Sequence, residues 1–474
     1  MENQSQTDKT AWVLPVLCVA AFMASLDLFI VNVAFSDIGQ EFPDRSLADL
    51  SWILNAYAIL YAALLVPLGR LADRFGQKAG FLSGLAVFTA ASAACALSDS
   101  LWPLVAFRGI QAMGAALLTP TSLGLLLTAT PADRKERAVR VWAATGGLAA
   151  AAGPVVGGLL AEASWRWIFL VNVPIGAAAF LLALPSLPAS RHDVDARLPD
   201  LPGAAVLLAC ISVLALGLVQ APSWGWGSPR TAVCLGLTLT GIAVFWRRSL
   251  RHASPVVEPA LLRVPSFAWS NATALAFTAA FAAGLLATVM WLQEVWGYSA
   301  LRTGMAITPG PLMVPLFASL AQAVAHKVPA GWITAVGSAL FGTGIIVLQL
   351  SLGAQPAYLT QALPGWLLSG MGVGLALPTI LAAATADLPH NRAATGSAIV
   401  NMSRQLGAVL GVSILIALIS VPRTYTATHA AFTLARWTIA AVAFVGALTA
   451  LRMTPRSTPS HSTSAALTVT PETS

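Results

Sequence analysis

The chain has 474 residues, of which 57% are hydrophobic and only 9% are charged. Soluble domains carry about 25% charged residues, so this composition excludes an ordinary soluble protein. The apolar residues form many runs of about 20, the length that crosses a bilayer as an α-helix. The net charge of +7 arises from Lys and Arg in short segments between these runs, which favours a polytopic membrane protein over a nucleic-acid-binding one.

Fourteen membrane-spanning helices are predicted along the chain, many of them with Trp residues near their ends, as in an interfacial belt. In chain order, the predicted spans are residues 11–35, 52–68, 79–97, 102–127, 139–161, 167–187, 201–219, 231–246, 267–292, 303–325, 332–350, 359–384, 395–419 and 431–451. The first run contains polar side chains and has no small-residue cleavage site behind a basic start. We therefore interpret it as a retained helix and not as a signal peptide.

The distribution of basic residues predicts the orientation of these spans. With the N-terminus inside, the inner loops and tails hold most of the 26 Lys and Arg residues, in agreement with the positive-inside rule. A few fall on the outer side, among them Arg302 and Arg436, while Arg108 and Arg404 fall inside spans. Both termini are therefore expected in the cytoplasm, and the C-terminal tail, rich in Ser, Thr and Pro, is expected to be disordered.

Asp27 is the one acid that lies deep within a predicted span. An unpaired charge at the centre of a membrane helix costs about 2.5–3.5 kcal/mol on insertion scales, so a partner or an aqueous cavity is expected. Asp27 lies about 12 Å below the outer edge of the first span and Arg108 about 9 Å below that of the fourth, at about 1.5 Å per residue. We hypothesise that Asp27 carries a proton whose affinity Arg108 tunes; the alternative is a purely structural ion pair.

Three short motifs accompany these spans. The loop after the second span reads GRLADRFGQK from Gly69, and its embedded Asp73 does not follow from the charge rule. The fourth span continues from Arg108 as RGIQAMGAA, and the fifth contains GG at Gly146 and then GPVVGG from Gly153. Gly and Pro in a membrane helix permit close approach and bending, although small residues also serve ordinary packing.

These stretches resemble motifs A, B and C of the major facilitator superfamily, with Ala112 where many relatives have Gly. LDLFIVNVAF from Leu26, WRWIFLVNVPIG from Trp165 and RQLG from Arg404 are similar to motifs of the 14-helix drug:proton antiporter branch. Together these resemblances extend over nearly the whole chain, and their order makes them more specific than any one motif.

The resemblance implies an all-α membrane fold, the major facilitator fold, with two six-helix bundles and two extra central helices. The expected segments are a cytoplasmic tail at 1–10, the N-terminal bundle at 11–187, the two extra helices with linkers at 188–265, the C-terminal bundle at 266–452 and a disordered tail at 453–474. The second half has a faint counterpart of motif A, AHKVPAG, in which His326 and Pro329 replace the expected Asp and Gly. That degeneracy argues against a latch in the second half.

The resemblance also implies roles for particular residues. Those expected to form a conformational latch at the inner loop are Gly69, Arg70, Asp73, Arg74 and Gly76. Those expected to form the antiporter helix are Gly146, Gly153, Pro154, Gly157 and Gly158. Candidates for a central substrate cavity are Asn32, Asn55, Tyr57, Tyr61, Gln111, Trp291, Gln293 and Arg404, each of which taken singly also suits packing or an interface.

The predicted function is proton-coupled export of lipophilic small molecules, drugs or antibiotics, from a bacterial cell across its cytoplasmic membrane by alternating access. A proton-coupled metabolite symporter of the same fold stays open, although motif C argues against it. A membrane-embedded enzyme is disfavoured because the spans contain no cluster of deep His, paired Cys or several carboxylates. The expected partners are the substrate, protons and the lipid bilayer, with the chain acting as a monomer and without nucleic acid.

No ATP-binding motif of the Walker type and no His/Glu metal cluster occurs in the sequence, so neither a cofactor nor a metal is expected. The energy for transport is therefore expected to come from an ion gradient.

Overall fold

The structure is a computed structural model that describes residues 12–131, 133–188, 198–389, 392–419 and 425–454. In these ranges the regular structure is helical, and fourteen helices are long and apolar enough to cross a membrane. In chain order, α1 to α14 comprise Val13–Val33, Leu47–Phe75, Gln77–Ala96, Leu101–Ala129, Arg137–Ala163, Trp167–Ser186, Leu201–Trp224, Pro229–Arg251, Pro265–Val295, Ala300–Val324, Ala330–Ser351, Leu363–Ala386, Ala393–Ile419 and Tyr425–Ala450. The predicted all-α fold with fourteen spans is confirmed.

Local signals set several of the helix ends. The words inner and outer refer to the orientation predicted from the basic residues. Ser46 and Asp49 form a capping box at the outer start of α2, because each side chain accepts a hydrogen bond from the other residue's backbone N–H. At the inner end, α2 stops at Gly76, whose φ of 106° is accessible mainly to glycine. The chain therefore turns at one residue and continues directly as α3.

The helices pack as two bundles with an additional pair. In the first six, α1 packs on α5, α2 and α3 pack on α4, and α6 packs on α3. In the last six, α9 packs on α13 and α14, and α12 packs on α10 and α11. The extra helices α7 and α8 pack on each other, and α7 contacts α2 and α13. The bundles meet along two seams, α2 with α13 and α5 with α10.

Two details differ from the expectations. Arg436, assigned to the outer side by sequence, lies within α14 and is only 3% exposed. Met453 is fully buried, and the hydroxyl of Thr454 accepts a hydrogen bond from the backbone N–H of Gly331, so packed structure continues into the start of the predicted tail. The predicted tail at 1–10 and the rest of the C-terminal tail lie outside the described residues.

Candidate functional site

A network of three buried side chains lies at the centre of the N-terminal bundle. Asp27 on α1 and Arg108 on α4 are each 1% exposed. Arg108 Nη1 donates to Asp27 Oδ2 at 2.5 Å and to Gln111 Oε1 at 2.6 Å. Gln111 Nε2 donates to Asp27 Oδ1 at 2.9 Å. Both carboxylate oxygens are therefore bonded, and the structure brings together the acid and the guanidinium that the sequence placed at similar depth.

Surrounding groups complete this network. Ser92 on α3 accepts a hydrogen bond from Gln111 Nε2 at 2.8 Å, and Arg108 Nε donates to the carbonyl of Ile53 at 3.3 Å. The guanidinium also lies 4.2 Å from the ring centroid of Tyr57. A buried ion pair is tolerated when further hydrogen bonds satisfy its remaining groups, and this one meets that condition. Sequence reasoning missed Ser92 because a lone Ser in an Ala-rich span carries no distinguishing signal.

Glycines of α5 bring that helix close to α1 just after Asp27. A Cβ at Gly153 would lie 2.7 Å from Phe29 Cβ, and one at Gly157 would lie 3.0 Å from the Cα of Ile30. Glycine therefore permits a close approach that a larger side chain would disturb. Gly146 differs, because a Cβ there would have its nearest atom at 4.0 Å. Of these three glycines, the packing requires the two nearer the outer side.

The same helix contacts α10 of the other bundle on the outer side. A Cβ at Gly158 would lie 2.6 Å from the carbonyl oxygen of Ala300, and one at Gly304 would lie 2.1 Å from that of Pro154. Backbones that approach this closely leave no room for a side chain on either helix. The outer seam between α5 and α10 is therefore closed.

Two hydrogen bonds add to the outer contact between the bundles. Ser299 Oγ at the start of α10 donates to Glu162 Oε1 at 3.0 Å. Gln293 Nε2 on α9 donates to the carbonyl of Val33 at 2.8 Å. The structure thus places Gln293, a predicted cavity residue, at the outer contact between the bundles.

On the inner side, Arg70 contacts the segment that links α8 to α9. Its guanidinium donates to Ser254 Oγ at 2.7 Å, to the carbonyl of Pro255 at 2.9 Å and to Glu258 Oε1 at 2.9 Å. Glu258 also pairs with Arg392, directly before α13. These residues line a cleft of about 660 Å³. Glu258 therefore connects the inner end of α2 to the start of α13.

The sequence could have indicated Glu258, because it is the one acid between Asp200 and Glu294. The motifs do not identify Glu258, because it lies in a linker outside all of them.

Gly69, Asp73 and Arg74 belong to the same predicted inner loop. Asp73 accepts a hydrogen bond from Gln77 Nε2 and also lines the inner cleft. Gly69 lies against Pro120 of α4, where a Cβ would be 3.4 Å away, and the guanidinium of Arg74 lies 6.0 Å from the ring centroid of Phe75.

The remaining predicted cavity residues occupy different places. Asn32 Nδ2 bonds to the carbonyl of Leu28 in its own helix at 2.7 Å. Asn55 Nδ2 donates to Ser413 Oγ at 3.3 Å across the seam between α2 and α13. Arg404 lies half-buried on α13, where its Nη1 donates to Asn401 Oδ1 at 3.0 Å. The proposed cavity residues thus do not form one cluster.

Trp291 belongs to the interior of the C-terminal bundle. It is fully buried, with its ring 5.3 Å from that of Phe432 and 4.2 Å from the guanidinium of Arg436, both on α14. It begins a π-helical turn, Trp291–Val295, at the end of α9. Such a turn changes the direction in which successive side chains point.

Two six-helix bundles and an additional helix pair, with a buried charge network in one bundle, define a membrane transporter of the two-bundle class. The chain belongs to the Major Facilitator Superfamily, whose family model matches residues 17–412.

Several named proteins are similar to this chain. The multidrug resistance protein Stp of Mycobacterium tuberculosis (strain CDC 1551 / Oshkosh) is 33% identical over 396 residues, which cover 83% of this chain and 73% of that protein. The tetracenomycin C resistance and export protein of Streptomyces glaucescens is 30% identical over 408 residues, covering 85% and 74% of the two chains. The methylenomycin A resistance protein of Bacillus subtilis (strain 168) is 32% identical over 423 residues, covering 88% and 89%.

Among solved structures, the peptide transporter POT in complex with sulfate superposes with a TM-score of 0.69 at 17% identity. The match covers 93% of this chain and 94% of that one. At this identity the likeness concerns the fold alone.

Proposed function

We propose that this protein is a proton-coupled antiporter that exports lipophilic small molecules, drugs or antibiotics, from a bacterial cell. The observation that carries the proposal is the closed network of Asp27, Arg108 and Gln111 inside one bundle. An ionisable side chain within a membrane bundle typically marks a proton or ion pathway. The multidrug resistance and antibiotic export proteins among the relatives favour export over metabolite uptake.

In this mechanism Asp27 takes up a proton that enters from outside. Protonation removes the negative charge that balances Arg108, but Gln111 Oε1 continues to accept a hydrogen bond from the guanidinium. The guanidinium therefore keeps Gln111 Oε1 and the carbonyl of Ile53 as acceptors, while its strongest partner loses its charge. One charge that crosses a potential of 100 mV supplies about 2.3 kcal/mol, enough to sustain a useful substrate gradient.

Helix packing offers a route from this network to the bundle interface. Gly153 and Gly157 hold α5 against Phe29 and Ile30, which follow Asp27 by less than one turn. On its other side, α5 lies directly against α10 through Gly158. A small displacement of α1 on protonation would therefore reach the outer seam through a single helix, because tightly packed elements transmit strain.

The inner side carries a latch in this proposal, formed by Arg70, Glu258 and Arg392. The Glu258 carboxylate accepts one hydrogen bond from Arg70 of one bundle and forms an ion pair with Arg392 of the other. Charge-assisted bonds of this kind are worth about 1.5–3 kcal/mol each. Opening the inner side would require their loss.

For its setting, we propose the bacterial cytoplasmic membrane with both termini inside, where the inner loops hold most of the Lys and Arg residues. The chain acts as a monomer in this scheme, since both halves of the pathway lie in one polypeptide.

Transport into inverted membrane vesicles tests the main proposal. Energised vesicles that contain the protein should accumulate a lipophilic dye, and a protonophore should abolish the accumulation. Asp27→Asn should keep the fold but reduce accumulation to the level of vesicles without the protein. Asp99→Asn, which changes a fully exposed acid on the outer side, serves as the matched control and should transport normally. Full protonophore-sensitive transport by the Asn variant would remove Asp27 from the coupling mechanism.

Labelling of a cysteine introduced at Thr395, which lines the inner cleft, tests the latch. Glu258→Gln should make this cysteine react severalfold faster with a hydrophilic maleimide, because the inner side opens more often. Asp133→Asn is the control, since Asp133 pairs with Arg134 on the same side but is largely exposed. Equal labelling rates in the wild type and in both variants would contradict the latch.

A further inference from the structure

Arg404 places a guanidinium group in the middle of a membrane span. It lies in Ala393–Ile419, about 16 Å from the inner end of the helix and about 22 Å from the outer end, at about 1.5 Å per residue. Its Nη1 donates to Asn401 Oδ1, one turn earlier on the same helix. Its Nε is buried and has no hydrogen-bond partner among the described residues. Unlike Arg108, it therefore has no carboxylate beside it in the part of the chain that the structure describes.

The other acids of the chain do not offer a counter-charge. The two acids whose side chains are fully buried, Asp27 and Asp200, are already paired with Arg108 and Arg248. The acids whose side chains the structure does not describe fall before α1, at the start of α5, between α6 and α7, or after α14; they are Glu2, Asp8, Glu136, Asp193, Asp195 and Glu472. None of them belongs to the central part of a span, where Arg404 lies.

The helix across the seam from Arg404 carries a pair of aromatic rings. Across the seam, α13 packs on α2, which carries Tyr57 and Tyr61. Tyr61 stacks on Tyr57 with ring centroids 6.1 Å apart and an interplanar angle of 11°, and its hydroxyl is bonded to Thr119 Oγ1 at 2.9 Å. The helix that packs against α13 thus carries two parallel rings, while α13 itself carries an uncompensated cation.

We propose that Arg404 supplies the counter-charge for a monoanionic substrate, an organic carboxylate or phenolate on a flat apolar body. The planar guanidinium suits a carboxylate because it can donate two parallel hydrogen bonds. The apolar body lies against the Tyr57–Tyr61 pair, where aromatic contacts add to its burial. This assignment rests on the proposed export function and narrows its substrate class. It also explains the unpaired charge, which the substrate balances while it is bound.

Binding of three pyrene compounds to the purified protein in lipid nanodiscs tests the assignment. The compounds are pyrenebutyrate, its methyl ester and pyrenebutylammonium, which share one apolar body and differ in charge. We expect the carboxylate to bind about tenfold to a hundredfold more tightly than the ester, the range of a hydrogen bond to a charged group. The ammonium should bind more weakly than the ester, because it meets Arg404 as a like charge.

Variants of Arg404 separate its charge from its packing. Arg404→Gln should remove the preference for the carboxylate, and Arg404→Lys should keep part of it, since Lys retains the charge without the planar fork. Arg302→Gln is the matched control, because Arg302 is an exposed arginine that stacks on Tyr298. It should bind all three compounds as the wild type does. Should Arg404→Gln not fold, the wild-type series and Arg404→Lys decide the question.

Transport of the ester separates this inference from the proposed function. Protonophore-sensitive accumulation of the ester in inverted vesicles, with no preference for the carboxylate in binding, would leave the antiporter intact and overturn the role of Arg404. A carboxylate preference that persists in Arg404→Gln would overturn it as well. Carboxylate-selective binding that depends on Arg404 supports the inference even if no compound is transported, a result that would count against the proposed function alone.

Discussion

The two bundles of this transporter differ in the partners that they give to the arginines within their spans. In the N-terminal bundle, Arg108 has an acid, an amide oxygen, a backbone carbonyl and an aromatic ring as partners. In the C-terminal bundle, Arg404 and Arg436 have amide oxygens and aromatic neighbours, but neither has a carboxylate among the described residues. A guanidinium paired with a carboxylate can be stable in either state of a transport cycle. A guanidinium without such a partner favours the binding of an anionic ligand.

This difference suggests a division of labour between the bundles. The N-terminal network pairs each of its charges, and Asp27 is the group of this network to which the proposed mechanism assigns the proton. The C-terminal bundle presents positive charge, either toward the interface at Arg404 or inside the bundle at Arg436. Whether each arginine is functional or merely tolerated depends on its partners, and substitutions can measure that dependence directly.

The largest effect is expected from Arg108→Gln. The substitution leaves Asp27 buried without its cation, and breaking one side of a buried pair costs about 3–5 kcal/mol. The double variant Asp27→Asn with Arg108→Gln should regain most of that stability, because neither charge remains. Neither variant should show proton-coupled export. Thermal unfolding in detergent, followed by tryptophan fluorescence, measures the stabilities. A single variant as stable as the double variant would show that the pair is not a closed unit.

The sequence predicted this network only in part. Hydropathy and residue spacing gave the depth of Asp27 and Arg108, since each residue of a helix adds a fixed rise. They did not give the direction in which each side chain points around its helix, which depends on packing. For that reason Gln111 was expected in a cavity, but the structure places it between Asp27 and Ser92. All fourteen spans were predictable because about 20 apolar residues leave few alternatives to a spanning helix.

Contacts between distant segments were the least predictable. Trp291 was expected in the cavity, but its π-helical turn has no recognisable signature in the sequence, and the ring packs on α14. The role of Glu258 as a link between the bundles depends on the position of the linker after α8 beside Arg70, which the sequence does not indicate. By contrast, the close contact of α5 with α1 and α10 follows the glycine pattern, because glycine position directly limits how near two helices can come.

A smaller effect is expected from Arg436→Met. The guanidinium is buried beside Trp291 and bonds weakly to Gln349 Oε1 at 3.4 Å, and its Nη2 has no partner among the described residues. Replacing a buried, poorly compensated charge by an apolar side chain of similar length is often neutral or stabilising. We expect a change within about 1 kcal/mol and normal export of the dye. A loss as large as that of Arg108→Gln would mean that Arg436 has a stabilising partner equal to Asp27.

The smallest effect is expected at Asp37. This acid belongs to the N-terminal half, but unlike Asp27 it does not have hydrogen-bond partners for both of its carboxylate oxygens. It lies in the short helix Phe35–Glu41 after α1, and its Oδ2 is buried without a hydrogen-bond partner. Burial raises the pKa of this carboxyl above its ordinary value, and the nearby carboxylate of Glu162 raises it further. Since Glu162 also accepts the bond from Ser299, Asp37 lies beside the closed outer seam.

The sign of its effect follows from this raised pKa. If the outer side opens and Asp37 becomes hydrated, its pKa returns to about 4, so protonation favours the closed arrangement. That stabilisation is complete below about pH 4 and is lost as the pH rises through the raised pKa. For a partly exposed group it amounts to at most about 1 kcal/mol, or about a fivefold change in the ratio of closed to open molecules.

Spin labels on Asp44→Cys and Gln355→Cys, two exposed positions in outer loops of opposite bundles, can measure this ratio as a distance distribution. The four native cysteines would be replaced by Ala in this background. The closed fraction should fall as the pH rises, and Asp37→Asn, which cannot ionise, should make this fall smaller, leaving the part that comes from other groups such as Asp27. Asp99→Asn, which changes a fully exposed outer acid, is the control and should follow the wild type. If Asp37→Asn retains the full pH dependence, another group controls the outer seam. If the pH dependence becomes smaller, the incompletely paired Asp37 affects the opening of the outer seam, although the central charges of the same bundle are fully compensated.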